Sequence, residues 1–470
     1  MNSLRIPLLV TALSACLRLG ALPLFVDNSR LMYFPPIIDQ KGGSCAQASG
    51  IGYMFTYEIN RLLDRNASAS DANQFAYLFT WNMVNDGADN GGFVDEGLMI
   101  AKNFGVMTEE DYGYSSVYQF RWASGYEKYH NAARYRVSKI TRFDNTDSAG
   151  LQKIKQYLYD RGTGEKGGGV LTFSTRSSNW EINNNYSGPS LTGYKSLLTA
   201  LATEGAHALT IVGYDDTVES TDSEGNTCLG AFIVVNTWGK WWADQGRFYL
   251  PYHFFTHRAG VKEIELSSTM TACDVYVGEP KIMFKIRVNY SSRNDLRLTY
   301  GADADTYAQS TANMFNSIIV NSQGGDHAMT GAYGPEATKG VLEFGLDFTD
   351  RMASDDAHYG RFFLNVVRSQ RGTEGEGTIE YMSVFDYRGA EPVEYVCRGI
   401  DGTQLALGRN MFSVSTLHPG HFSASRASAL DARGNVSSKT YVVRTAGGRI
   451  AKLKFSGSRD NLSMNYTFLN

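Results

Sequence analysis

The chain has 470 residues, more than one hydrophobic core organises, and 43% apolar with 20% charged side chains is the make-up of a folded globular protein of two or three domains. Its 44 basic and 48 acidic side chains leave a net charge near −4. No basic run accompanies that balance, so nucleic-acid binding has no support.

The opening MNSLRIPLLVTALSACLRLG has an arginine ahead of an apolar run of about ten residues, too short for a membrane span and of secretory-signal length. Leu13-Ser14-Ala15-Cys16 also resembles a bacterial lipobox. Residues 1–20 are therefore expected to direct export, to the medium or the cell surface, with lipid attachment at Cys16 as one route.

Pro35 to Asn60 is the first stretch with chemistry in it. Gly42, Gly43 and Ser44 make a turn that delivers Cys45 to the start of a helix, marked by apolar residues Ile51, Met54, Phe55, Ile59, Leu62 and Leu63. The positive end of the helix dipole there is expected to lower the thiol pKa. Helices are predicted over Asn73–Val84 and Val94–Phe104, with Gly105 as a stop, and near Ala149–Tyr159; a short strand is predicted at Tyr135–Ile140. The glycine-rich GTGEKGGG (162–169) lacks the order of a phosphate-binding loop and leads into a strand, Val170–Ser174. Two apolar strands follow, one beginning at His207 and one ending at Asn236, separated by a polar insert, Thr217–Thr227. A thiolate nucleophile needs a base, and that imidazole needs a third group to fix its tautomer. Cys45, His207 and Asn236 supply these roles in order.

With those residues in place the chain resembles the papain-like cysteine peptidases, of bacterial type. Cys45 matches the family nucleophile, His207 its His-Ala motif before Val-Gly-Tyr, and Asn236-Thr237-Trp238-Gly239 its Asn-Ser-Trp-Gly motif, continued by Trp242 and Gly246. Leu22–Arg30 resembles the start of the mature domain, and Asn90-Gly91-Gly92-Phe93 the loop whose glycine backbone pairs with substrate. The resemblance covers roughly 21–266 and implies an α+β fold, a helical lobe and a β-rich lobe with the cleft between them. It implies hydrolysis of protein or peptide substrates through a covalent acyl-enzyme, with no cofactor and no metal. It places Phe93, Val94, Ala206 and Ala208 around the side chain two residues before the cut, so a hydrophobic preference is expected there. Trp238 is expected to shield His207 and Asn236 from water.

The chain also departs from the family pattern. The oxyanion-hole glutamine usually precedes the cysteine by six residues, whereas Gln40 stands five before Cys45; a one-residue deletion in the turn assigns Gln40 the role. Ala46 replaces the usual bulky residue, and Gln47 should point away from the sulfur. Beyond Cys16 and Cys45 only Cys228, Cys273 and Cys397 remain, and Asp89 stands where relatives carry a disulfide cysteine.

A linker is expected at Ser267–Pro280, then an all-β jelly-roll-like sandwich over 281–398, parts of which are similar to the P domain of proprotein convertases, then an immunoglobulin-like module over 399–470. These modules are candidates for cell-surface or glycan contacts. Asp347, Asp350, Asp355 and Asp356 are read as a solvated loop rather than a calcium site. Two other functions fit the same residues: an amidase or transpeptidase using the same thioester, and a surface adhesin with a decayed peptidase domain.

Overall fold

The computed structural model describes residues 22–113, 120–165, 167–258, 260–331, 340–369, 375–417, 440–444, 450–458 and 461–469. The export segment with Cys16 lies outside them. Residues 45–63 form one unbroken helix of three consecutive segments, Cys45–Gln47, Ala48–Phe55 and Thr56–Leu63, the middle one widened to i→i+5 spacing. This helix is buried along most of its length because Ala48, Gly50 and Gly52 let neighbours approach: a Cβ on Gly52 would stand 2.5 Å from Ile38, and one on Gly50 would touch Val94 at 3.0 Å. Tyr77–Val84 and Val94–Asn103 pack on it, and Tyr126–Ala132 adds to the helical lobe through Tyr129, which meets Phe79 and Phe104.

The Tyr77–Val84 helix starts later than the predicted Asn73, because Phe75 bridges Thr108 and Ala76 donates to Met107, which holds that segment extended. Val94–Asn103 ends where expected. Gly105 follows at φ +106, against the Ala132 carbonyl, where a Cβ would clash at 2.0 Å. The Ser148–Asp160 helix is capped by Asp147, whose carboxylate accepts from the Gly150 N–H at 2.7 Å.

The β-rich lobe is a nine-stranded, mostly antiparallel sheet. Its centre is the long hairpin of Ala206–Thr221 with Thr227–Val235. The polar insert is thus strand for most of its length, kinked by a bulge between Asp215 and Glu219 and turning at Asp222–Asn226. The expected linker is likewise strand: Thr269–Val277 pairs with Tyr135–Asp144 and touches Leu171–Arg176, because Met270 and Ala272 face one apolar core and Cys273 the other.

A sandwich follows directly. One sheet orders Val341–Asp347, Ile282–Tyr290, Gly377–Asp386 and Val393–Val396, with Thr403–Gln404 on Gly377–Asp386; the other orders Met314–Asn321, Leu296–Asp303, Arg361–Arg368 and Gly408–Ser415. Because Gly408–Ser415 pairs along the whole of Arg361–Arg368, the sandwich runs to Ser415 and the boundary expected at 398/399 is displaced. Three antiparallel strands, Thr440–Arg444, Ile450–Ser458 and Asn461–Leu469, form a separate sheet; 418–439, within the expected immunoglobulin-like module, lies outside the described residues.

The sandwich shares a core with the helical lobe. Tyr129 packs on Phe344 and Tyr126 on Phe385; buried Arg293 lies over Trp122 at 4.1 Å and donates to the Gly324 carbonyl at 2.6 Å. Arg136 pairs with Asp347 and Asp350, and Lys281 with Asp355, so the acidic cluster is not simply a solvated loop: Asp347 is buried at this seam.

Candidate active site

Cys45 opens the long helix, and two reciprocal bonds hold that helix against the strand carrying His207. Ser49 Oγ donates to the Ala208 carbonyl at 2.9 Å, and Thr210 Oγ1 to the Ser49 carbonyl at 3.3 Å. Those bonds bring Cys45 beside the backbone of Ala208, the residue after His207, whose N–H favours the thiolate.

Asn236 follows the next strand of the hairpin. Its Oδ1 accepts from the Thr237 N–H at 2.7 Å and lies 2.8 Å from His207 Nε2. A backbone N–H can only donate, so the atom facing His207 is the amide oxygen, and Nε2 must carry the hydrogen. The neutral imidazole therefore keeps Nδ1 as its basic nitrogen. The Asn236 backbone is fixed in turn, its N–H donating to Gly246 at 2.8 Å and its carbonyl accepting from Tyr53 Oη at 3.0 Å. Gly246 has φ +84, and a Cβ there would strike Ile37 at 2.7 Å, which gives a physical reason for the last glycine of the tryptophan motif.

Trp238 stacks on the His207 ring at 4.6 Å and 27°. Trp180 meets the same ring edge-on at 6.0 Å and touches Trp238, Trp242 and Phe248. His207 is thus walled by aromatic rings. Burial pushes its pKa down to about 4, partly opposed by the bond to Asn236. Burial also pushes the Cys45 thiol up, against the pull of the Ala208, Ala46 and Cys45 backbone N–H groups. The thiol is thus raised and not lowered, contrary to the expectation from sequence: desolvation of an isolated charge is the larger effect at both groups. Moving the proton from sulfur to imidazole creates two opposite charges together, whose attraction offsets that cost.

Gln40 sits on a short bridge to the Asn236 loop, its N–H donating to Thr237 at 2.7 Å while Asp39 pairs with Trp238. Its side-chain oxygen accepts from the Thr237 hydroxyl, and its Nε2 donates to the Gly42 carbonyl at 2.8 Å. That leaves a second hydrogen on the amide nitrogen. Gln47 points elsewhere: it accepts from Thr80 and donates to the Phe93 carbonyl at 2.9 Å, steadying the glycine loop.

That loop lies against the cysteine turn. Asp89 Oδ1 accepts from the Gly43 N–H at 2.6 Å, Trp81 Nε1 donates to the Asn90 carbonyl at 3.0 Å, and a Cβ on Gly43 would lie 3.2 Å from the Gly91 nitrogen. Gly91 is exposed and Gly92 half-buried. Of the four apolar residues expected around one subsite, Val94 and Ala208 are inner, while Phe93, 76% exposed, and Ala206 stand at the rim. Trp180, Tyr53, Thr237 and Asp89 are the positioning residues that sequence reasoning missed. Trp180 stands just before the short strand Glu181–Asn183 with no spacing signal, and Asp89 stands out in the sequence only for the cysteine it replaces.

A sequence profile described as papain family cysteine protease matches residues 28–262. Among solved structures the chain is similar to xylellain, a cysteine protease from Xylella fastidiosa, at 17% identity over 54% of this chain and 86% of that one, with a TM-score of 0.36. It is similar to a recombinant stem bromelain precursor at 15% identity over 54% and 70% of the two chains, TM-score 0.35. Bromelain from Ananas comosus in an inhibitor complex gives 14% identity over 53% and 98%, TM-score 0.35. Comparison with curated proteins finds no match.

Proposed function

Since the chain belongs to the papain family of cysteine proteases, we propose that it hydrolyses peptide bonds with Cys45 as nucleophile, His207 as acid and base, and Asn236 as the group that orients the imidazole. The observation that carries this reading is the bond of His207 Nε2–H to Asn236 Oδ1 beneath Trp238, which leaves Nδ1 to take the thiol proton.

The thiolate attacks the scissile carbonyl carbon, and the carbonyl electron pair moves onto oxygen. The Cys45 N–H, free of a helical partner at a helix start, and the second hydrogen of Gln40 Nε2 are the donors for that oxyanion. His207 Nδ1–H then protonates the departing amine and the C–N bond breaks, leaving a thioester on Cys45. Water attacks the thioester as His207 takes its proton, and the acid product leaves with Cys45 regenerated as a thiol. Upstream, the substrate backbone lies along Gly91 and Gly92. Val94 and Ala208, with Phe93 and Ala206 at the rim, favour an uncharged apolar side chain two residues before the cut.

Labelling with iodoacetamide or an epoxysuccinyl probe near pH 6 tests the assignment. Rapid modification is expected at Cys45, lost in Cys45→Ala and slowed at least about a hundredfold in His207→Ala, the range typical of a lost general base. Slow labelling spread over Cys228, Cys273 and Cys397, unchanged by either substitution, would overturn it.

A further inference from the structure

An open cavity of about 480 Å³ lies between the Val94–Asn103 helix and the end of the Met314–Asn321 strand. It begins where the glycine loop ends. Val84 and Glu96 both line it, and a Cβ on Gly92 would stand 3.2 Å from the one and 3.1 Å from the other. Glu96 Oε2 also accepts from the Phe93 N–H at 2.7 Å. Its other wall is the sandwich, through Ile318, Asn321 and Gln323.

The lining is apolar with a negative excess. Asp86, Asp95 and Glu96 contribute carboxylates, of which Asp95 is paired with Arg142, and no described residue lining the cavity is a lysine or arginine. We propose that this cavity is an upstream substrate subsite, built jointly by the helical lobe and the sandwich, that takes a lysine or arginine side chain of the peptide. The inference rests on the proteolytic reading of the cleft. From Phe93 to Met99 the helix advances about 9 Å at 1.5 Å per residue. An extended peptide covers that in about three residues at ~3.3 Å each. A chain whose second residue before the cut lies on Gly92 therefore reaches the cavity about three residues further upstream, near the fifth. The long aliphatic stem of lysine or arginine packs on Val84 and Ile318, and its charge meets Asp86 and Glu96.

The test uses the full chain and two kinds of substrate: a short reporter ending two residues upstream of the cut, and hexapeptides carrying Lys, Arg, Ala or Glu at the fourth to sixth positions. Wild type is expected to cleave the short reporter, and to favour Lys or Arg over Glu in the long series by about tenfold in kcat/KM, as charge complementarity of this kind supports. Gln323→Lys, from the sandwich side, and Asp86→Asn, whose side chain tolerates the positive φ of 55° there, should each cut that preference at least threefold and leave the short reporter unchanged. Either variant alone decides the point if the other fails to fold. A cleaved short reporter with no charge preference upstream, or a preference neither variant alters, overturns the subsite alone. No cleavage of the short reporter by wild type overturns the proteolytic reading and this inference with it.

Discussion

At the scale of single residues, burial acts on both Cys45 and His207 and disfavours the charged form of each. His207 has its pKa lowered to about 4 because the buried ring resists charge. Its neutral form is therefore the folded form over a window in which an unfolded chain takes up a proton. Stability from this group is present above about 6.5, the ordinary histidine value, and is lost as pH falls toward 4. In the proposed mechanism the same shift sets the acid edge of reactivity, since Nδ1 accepts a proton only while the ring is neutral. Iodoacetamide labelling of Cys45 should lose its rate with an acid midpoint near pH 4; a midpoint near 6.5 would mean that the ring is solvated and the aromatic wall of Trp180 and Trp238 does not seal it.

At the scale of elements, the sequence was most legible where one residue type serves one spacing. The Cys45 helix, the Val94–Asn103 helix with its glycine stop, and the two strands framing His207 and Asn236 follow from apolar periodicity and motif order. What stayed hidden depends on partners distant in sequence. The polar Thr217–Thr227 insert is mostly strand because the hairpin continues through it, and the supposed linker is strand because Tyr135–Asp144 offers a free edge. The role of Gln47 could not be read either, since its partners lie on two other helices and a loop. Gly97 exists for that side chain: a Cβ there would lie 1.8 Å from Gln47 Oε1. Gly97→Ala should displace Gln47 and loosen the Phe93 carbonyl it holds. KM for peptides is expected to rise about tenfold, the value of roughly one hydrogen bond, while the iodoacetamide rate at Cys45 stays near wild type. A loss confined to the labelling rate would sink this account.

At the scale of the whole molecule, the sandwich is part of the enzyme's core. Trp122, Tyr126 and Tyr129 of the helical lobe are covered by sandwich residues, and Arg136 pairs with Asp347 across the seam with both side chains nearly inaccessible. Arg136→Ala strands a buried carboxylate and should lower the unfolding free energy by about 3–5 kcal/mol in urea titration. In calorimetry the lobe and sandwich should melt together in wild type; two well-separated transitions, with the protease step unmoved by Arg136→Ala, would show that they are independent. One more property follows from the way the cysteine turn is held. The Asp89 carboxylate on the Gly43 N–H ties it to the glycine loop, and Cys45, Cys228, Cys273 and Cys397 are all free thiols. A thiol enzyme survives oxidation only in the presence of reductant, and here that reductant breaks no cross-link among the described residues: the redox potential that keeps Cys45 active and the one that the scaffold tolerates are uncoupled.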